Sequence, residues 1–292
     1  LARDQPRVTL CLWGDGEGIG WAAELALRQF WSVQLGAPHV LHVAEGRQGY
    51  METDGLSRFA RHAPSVFDPQ DPPRWQILSR AEAELDRTVT LHLVDAGSDD
   101  ETVALCFSLA ARLRQESSDP APVQAILRGA GELTCLFRGE TLHFLPPILP
   151  EERLVIAVLQ DRVLDETAAG LHLAYDREFG GGGTSPASGR WQELPETYVA
   201  ANRAAADHRA VKHWDARTSG LQGAALEEEL AKAEHNRWCA ERLLNGWLPA
   251  GDGGRDNLRR LHPDLKPWAE LDETARSKDI ALVKTAIETS AR

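Results

Sequence analysis

Between Glu229 and Val283 the chain sets tryptophan, arginine and histidine at spacings suited to gripping an anionic ring compound. His235, Trp238, Glu241 and Arg242 recur at helical spacing, and Trp238 and Arg242 share a face one turn apart. Gly246-Trp247 ends that helix. Arg255-Asp256-Asn257, His262-Pro263 and Trp268-Ala269-Glu270-Leu271 follow at short intervals. Trp247 and Trp268 offer flat apolar walls. Arg242, Arg255 and Lys278 offer positive charge, and Asp256, Asn257 and His262 can exchange hydrogen bonds. Rings stack on aromatic walls and a guanidinium meets a phosphate in a fork, so the set suits a nucleobase-plus-phosphate ligand. The same residues can instead form the segment's own core, with tryptophan packing and arginine–carboxylate staples. Trp247 and Trp268 read first in that way.

A second candidate lies near the N-terminus. Arg7–Trp13 is an apolar run with β-branched residues that leads into Gly14-Asp15-Gly16-Glu17-Gly18-Ile19-Gly20. A helical pattern runs from Trp21 to about Leu35. Strand, glycine turn and helix make the first unit of a dinucleotide-binding fold, in which glycines let the backbone approach a phosphate and the helix start supplies free N–H groups. Gly14, Gly16 and Gly20 fit the phosphate turn, although Ile19 stands where the strict G-x-G-x-x-G pattern needs its third glycine. The strand His39–Ala44 ends at Glu45, an acid placed for ribose hydroxyls. The alternative is a Rossmann-like unit whose pocket has become packing or dimerisation surface.

These motifs need elements to hold them. Strands are expected at Thr88–Val94 and Val123–Leu127, with a helix over Glu101–Gln115 capped by Asp99-Asp100-Glu101 and burying Val103, Leu105, Phe107, Leu109 and Leu113. Leu133–Phe137 and Thr141–Leu145 read as a hairpin. The alternation implies an open, mostly parallel sheet. Beyond it come helices at Arg162–Tyr175 and Glu196–Trp214, separated by the glycine stretch Gly180–Gly183. The polar face of the second, with Asn202-Arg203 and Asp207-His208-Arg209, is either solvated or lines a seam.

The C-terminal segment resembles the ryanodine-receptor (RyR) repeat domain, carried by His235, Trp238, Glu241, Arg242, the Arg255-Asp256-Asn257 turn, His262-Pro263 and Trp268. A divergent earlier copy is suggested by His172, Tyr175, Arg177 and Glu178 followed by Trp191-Gln192-Glu193-Leu194-Pro195-Glu196. In both, a Trp-x-Glu-Leu stretch should pack its tryptophan on the first helix while a glutamate caps the second. Residues 6 to 130 look like the nucleotide-binding domain of Trk-type potassium-uptake regulators, a likeness compatible with a homodimer. The expected organisation is an α/β Rossmann-like domain over residues 1–150 and a mainly α-helical RyR-type region over 151–292, with copies at about 151–222 and 223–292.

Composition narrows the function. The chain has 292 residues, 42% hydrophobic and 26% charged, as in globular proteins, and a net charge of −12 that argues against a nucleic-acid partner. No window reaches the run of about eighteen apolar residues of a membrane span. Leu1 in place of methionine suggests a fragment, and membrane segments upstream are compatible with it. Cys11, Cys106, Cys135 and Cys239 are far apart, which suits a reducing cytosol and no metal site; Cys11 and Cys106 fall in apolar patterns as buried thiols. His39, His42, His92 and His143 lie in strand patterns as core or edge residues. No nucleophile elbow, zinc helix, Cys–His pair of informative spacing or Walker loop is found, so no catalytic residue is assigned. The expectation is a non-enzymatic cytoplasmic sensor of a dinucleotide or other nucleotide. The RyR resemblance implies bacterial signalling or conflict systems. A channel-gating interaction module and an NAD-dependent oxidoreductase are the alternatives.

Overall fold

The computed structural model describes residues 7–43, 54–85, 88–129, 150–179 and 189–288. Five short strands, β1 (Thr9–Trp13), β2 (His39–Val43), β3 (Arg74–Leu78), β4 (Leu91–Val94) and β5 (Val123–Ala125), form one sheet of order β3-β2-β1-β4-β5. All pairs are parallel. Helices α1 (Glu17–Gln29), α2 (Asp54–Val66), α3 (Arg80–Leu85) and α4 (Asp99–Glu116) make the crossovers. Strand periodicity sorts the faces of β1: Leu10 and Leu12 pack with α1 and α2, while Cys11 and Trp13 pack with Cys106 and Leu109 of α4. A central strand buried on both faces explains the unbroken apolar run TLCLW.

Several boundaries differ from the sequence pattern. The first helix begins at Glu17, not Trp21, and stops at Gln29, because Gly18 and Gly20 are helical and Ser32 and Gly36 close a turn after Trp31. β4 begins at Leu91 rather than Thr88. In α4, Cys106 and Leu109 are fully buried and Val103, Leu105, Phe107 and Leu113 only partly so. Its cap is Ser98, which accepts from Glu101 N. The sequence pattern does not announce α2 and β3: α2 carries Pro64 internally, and β3 is an edge strand with Ile77 half exposed. The expected hairpin with Cys135 and His143, the stretch Gly180–Gly183 and Glu45 lie outside the described residues.

The rest is helical: α5 (Pro150–Phe179), α6 (Glu196–Asp207), α7 (Arg209–Thr218), α8 (Gly223–Leu244) and α9 (Glu273–Glu288), with a two-stranded ladder of β6 (Leu248–Pro249) and β7 (Leu261–His262) between the last two. The helix expected over Glu196–Trp214 is broken at His208 into α6 and α7. Single 3₁₀ turns, Trp191–Glu193 and Trp268–Glu270, precede α6 and α9. Asp272 Oδ1, rather than a glutamate, accepts from Ala275 N at the start of α9 (2.7 Å). α8 lies across α1 and α2 as a further layer. Its Cys239, Ala240, Leu243 and Leu244, with Trp247 beyond, join Leu10, Leu12 and Leu27 in one core. No helix among the described residues is long and apolar enough to cross a membrane.

Candidate functional site

The glycine turn after β1 closes on the protein's own carboxylate. Gly14 has φ +101°, and a Cβ there would lie 2.2 Å from Asp95 O. A Cβ on Gly16 would lie 1.9 Å from Asp95 Oδ1. Gly18 N–H donates to Asp95 Oδ2 (2.9 Å) and Gly97 N–H to Oδ1 (3.1 Å), so the carboxylate takes the anion position at the start of α1. Arg128 closes over it at 3.0 and 3.4 Å, and Asp95 is 1% exposed. His42 Nε2–H donates to Gly14 O (2.9 Å) and fixes the turn from the next strand. Burial lowers the pKa of His42. Gly20, the third expected glycine, is buried within α1.

A cavity lies instead among the helices. It measures about 180 Å³, above the size of engineered cavities that take up benzene. Its aromatic walls are Tyr175 of α5, Tyr198 of α6 and Trp238 of α8. Arg242, Arg255 and Lys278 supply its positive side, and Asn202, Asp264 and Asp279 its acceptors, with His262 beside them. Arg255 comes from the exposed loop after β6. Its guanidinium lies between the rings of Tyr198 (5.3 Å) and Trp247 (5.6 Å) and bonds the Tyr198 hydroxyl and Asn257 Oδ1. Arg242 stacks near Trp238 and Trp247 (5.7 and 5.2 Å) and donates to Thr197 Oγ1 (2.8 Å). Among the described residues neither Arg255 nor Lys278 has a carboxylate within ion-pair distance.

The local field is positive despite the acidic chain. His262 is pushed down to about 3, by burial first and then by Arg255, Arg242 and Lys278. Its Nδ1 accepts from Asp264 N (3.1 Å), so a neutral ring carries its proton on Nε2. His235 is the opposite case. Burial works against its charge, but Cys239 Sγ at 3.4 Å and Asp279 Oδ2 at 3.3 Å hold its pKa well above the ordinary value. Its Nε2–H donates to Lys266 O (2.9 Å). At the wall of the cavity, Glu234 accepts from Arg237 (2.8–3.0 Å) and pairs behind it with Lys212 (2.6 Å), all three buried. Desolvation alone would raise Glu234, yet Arg237 and Lys212 hold it well below the usual range. This pairing lets α8 bury Glu234 and Arg237 while they carry charge.

Of the residues singled out by spacing, Trp238, Arg242, Arg255, His262 and Lys278 converge on this cavity. His235 lines it too, whereas Trp247, Trp268, Asp256 and Asn257 do not. Trp247 is 3% exposed and belongs to the shared core, and Trp268 packs edge-on against His235 (5.8 Å). Asp256 accepts from Leu258 N and Arg259 N to shape its turn. Asn257 reaches the site only through Arg255. A family model for the RyR domain matches residues 221–291. No curated protein matches the chain. The RyR segment supplies the cations of the cavity, whereas Tyr175, Tyr198 and Asn202 come from helices before it.

Tyr175 was readable at i, i+3 from His172 and Asn202 on a polar face that could line a seam, whereas Tyr198 escaped spacing arguments because its partner lies far along the chain; the Arg255–Tyr198 contact spans 57 positions. The Cys239–His235 pair was readable as i, i+4, but the thiol is fully buried and does not line the cavity. Cys11 and Cys106 are buried thiols, with Cys106 pushed up to about 12 by burial. No cluster able to hold a metal occurs among the described residues.

Proposed function

We propose that the protein is a regulatory sensor whose helical cavity takes a nucleotide or nucleotide-derived ligand without transforming it. The observation that carries this reading is the pairing of aromatic walls with convergent cations, of which Arg255 and Lys278 have no carboxylate partner among the described residues, in a chain of net charge −12. Cations gathered at one cavity of an acidic protein draw an anion to it. Stacking on Tyr175, Tyr198 or Trp238 and charge-assisted bonds from Arg242, Arg255 and Lys278 would supply ring and phosphate recognition together.

The glycine turn does not compete for this role, since its anion position is held by Asp95. An NAD-dependent oxidoreductase would need that position for its pyrophosphate. The occupant would bridge α5 and α6 to α8, and α8 packs on α1 and α2, so binding would bias the contact between helices and sheet. The RyR-type resemblance is the ground for suggesting bacterial signalling or conflict systems as its setting. Calorimetry against NAD, ADP-ribose, ATP and cyclic nucleotides tests the reading. Binding of at least one, weakened in Lys278→Ala, supports it; binding of none overturns it.

A further inference from the structure

The two halves of the helical region are built alike. The first helix of each carries a histidine whose Nε2–H donates to a loop carbonyl: His172 to Gly189 O (2.7 Å) and His235 to Lys266 O (2.9 Å). Two residues past each carbonyl stands a tryptophan that packs on that histidine, Trp191 at 6.2 Å and Trp268 at 5.8 Å. Each tryptophan opens one 3₁₀ turn. Trp191, buried Leu194 and the helix start Glu196 in one half match Trp268, buried Leu271 and Glu273 in the other at identical spacing. The helices also pack reciprocally, α5 on α9 and α6 on α8, as expected of two units related by a local two-fold.

The cavity sits on that relation. His172 and His235 both line it, as do the residues one turn later, Tyr175 and Trp238. So do Tyr198 and Ala275, and Asn202 and Asp279, each pair equally spaced from its buried leucine. We propose that α5 and α6 are a diverged copy of the α8–α9 unit, and that divergence has divided the seam between them. The second copy holds the phosphate of a nucleotide, and the first copy reads an adenine-type ring through Asn202. This rests on the nucleotide reading of the cavity given above.

The chemistry of matched positions supports the division. Asp279 is tied to His235 Nδ1 (3.3 Å). Its counterpart Asn202 instead donates from Nδ2 to Tyr198 O (2.8 Å). That bond fixes the orientation of the amide, and among the described residues its second N–H and its Oδ1 have no other hydrogen bond. A donor beside an acceptor is the edge that pairs with the amino group and ring nitrogen of adenine. Lys278 matches Ala201, so the cation lies on the second copy's side, while the first copy offers the rings of Tyr175 and Tyr198.

AMP and IMP differ at this edge and share their phosphate. Calorimetry on the whole chain should show AMP bound more tightly than IMP, on the order of tenfold, the size of one bidentate base contact. Asn202→Ala, with its melting temperature checked, should bring the ratio close to one. Lys278→Ala should weaken both by a similar factor and keep the ratio. Equal binding of AMP and IMP by the wild type, or a preference that survives Asn202→Ala, overturns the proposal and leaves nucleotide binding intact. Binding of neither while another nucleotide binds also overturns it. Failure of every nucleotide overturns the sensor reading as well.

Discussion

Glu234→Gln probes the buried charges at the wall of the cavity. The Glu234 carboxylate accepts from Arg237 Nε and its terminal nitrogen at 2.8–3.0 Å and meets Lys212 Nζ at 2.6 Å, with all three side chains 1–2% exposed. Glutamine keeps the shape and removes the charge, leaving two enclosed cations without their carboxylate. Lys212 can shed its proton, and burial already lowers its pKa, but the Arg237 guanidinium cannot. Removing one member of a buried pair costs about 3–5 kcal/mol, a large share of the stability of an ordinary domain. Urea denaturation at pH 7 should show a loss in that range. Adding Lys212→Met removes one stranded cation, so the double variant should lose less than the two singles together by at least about 1 kcal/mol. A single-variant loss below about 1 kcal/mol, or strict additivity, would refute the reasoning.

Acid should destabilise the fold well before carboxylates titrate. Burial, first among its causes in each, holds His92 and His208 at about 4 and His262 at about 3, against an ordinary 6.5. Between these values the unfolded chain binds protons that the native state does not, so their stabilisation is complete above about pH 6.5 and is lost as pH falls toward 4. Each contributes a slope of about 1.4 kcal/mol per pH unit there, which denaturation at pH 7 and pH 5 would detect. His235 has the opposite sign: its raised pKa stabilises below 6.5 and fades as pH rises through the folded value. A Cβ on Gly16 would meet the Asp95 carboxylate, so Gly16→Ala should cost roughly 3 kcal/mol or more, from overpacking and lost carboxylate bonds. Asp95→Ala should cost less in the Gly16→Ala background than in the wild type; equal costs in a double-mutant cycle would show that the two do not meet. Arg255→Ala should weaken nucleotide binding about tenfold or more, the worth of one charge-assisted bond, and should lessen its salt dependence in calorimetry.

How much of this was legible depended on distance along the chain. β1, its glycine turn and α1 announce themselves because an apolar run, four glycines and a helical pattern are contiguous. What fills the turn does not, since the Asp95 carboxylate reaches Gly18 N across 77 positions. β3 hides because an edge strand need not alternate cleanly, and α2 because Pro64 interrupts its pattern. On the RyR side, Trp238 and Arg242 were readable as one face of a helix. The assignment of Trp247 and Trp268 to packing follows from their contacts with core leucines and with His235. Tyr198 carries no motif of its own and Asn202 was readable only as part of a polar face; the packing of α6 on α8 brings both to the site.

The most direct test of the central claim is a structure of the whole chain from crystals soaked with a mixture of NAD, ADP-ribose, ATP and cyclic nucleotides. The account predicts density between Tyr198 and Trp238, with phosphate oxygens within hydrogen-bond reach of Arg255 and Lys278 and with Asp95 still seated at the glycine turn. A nucleotide bound at Gly14–Gly18 with Asp95 displaced, or a helical cavity closed by the protein's own side chains, would contradict it.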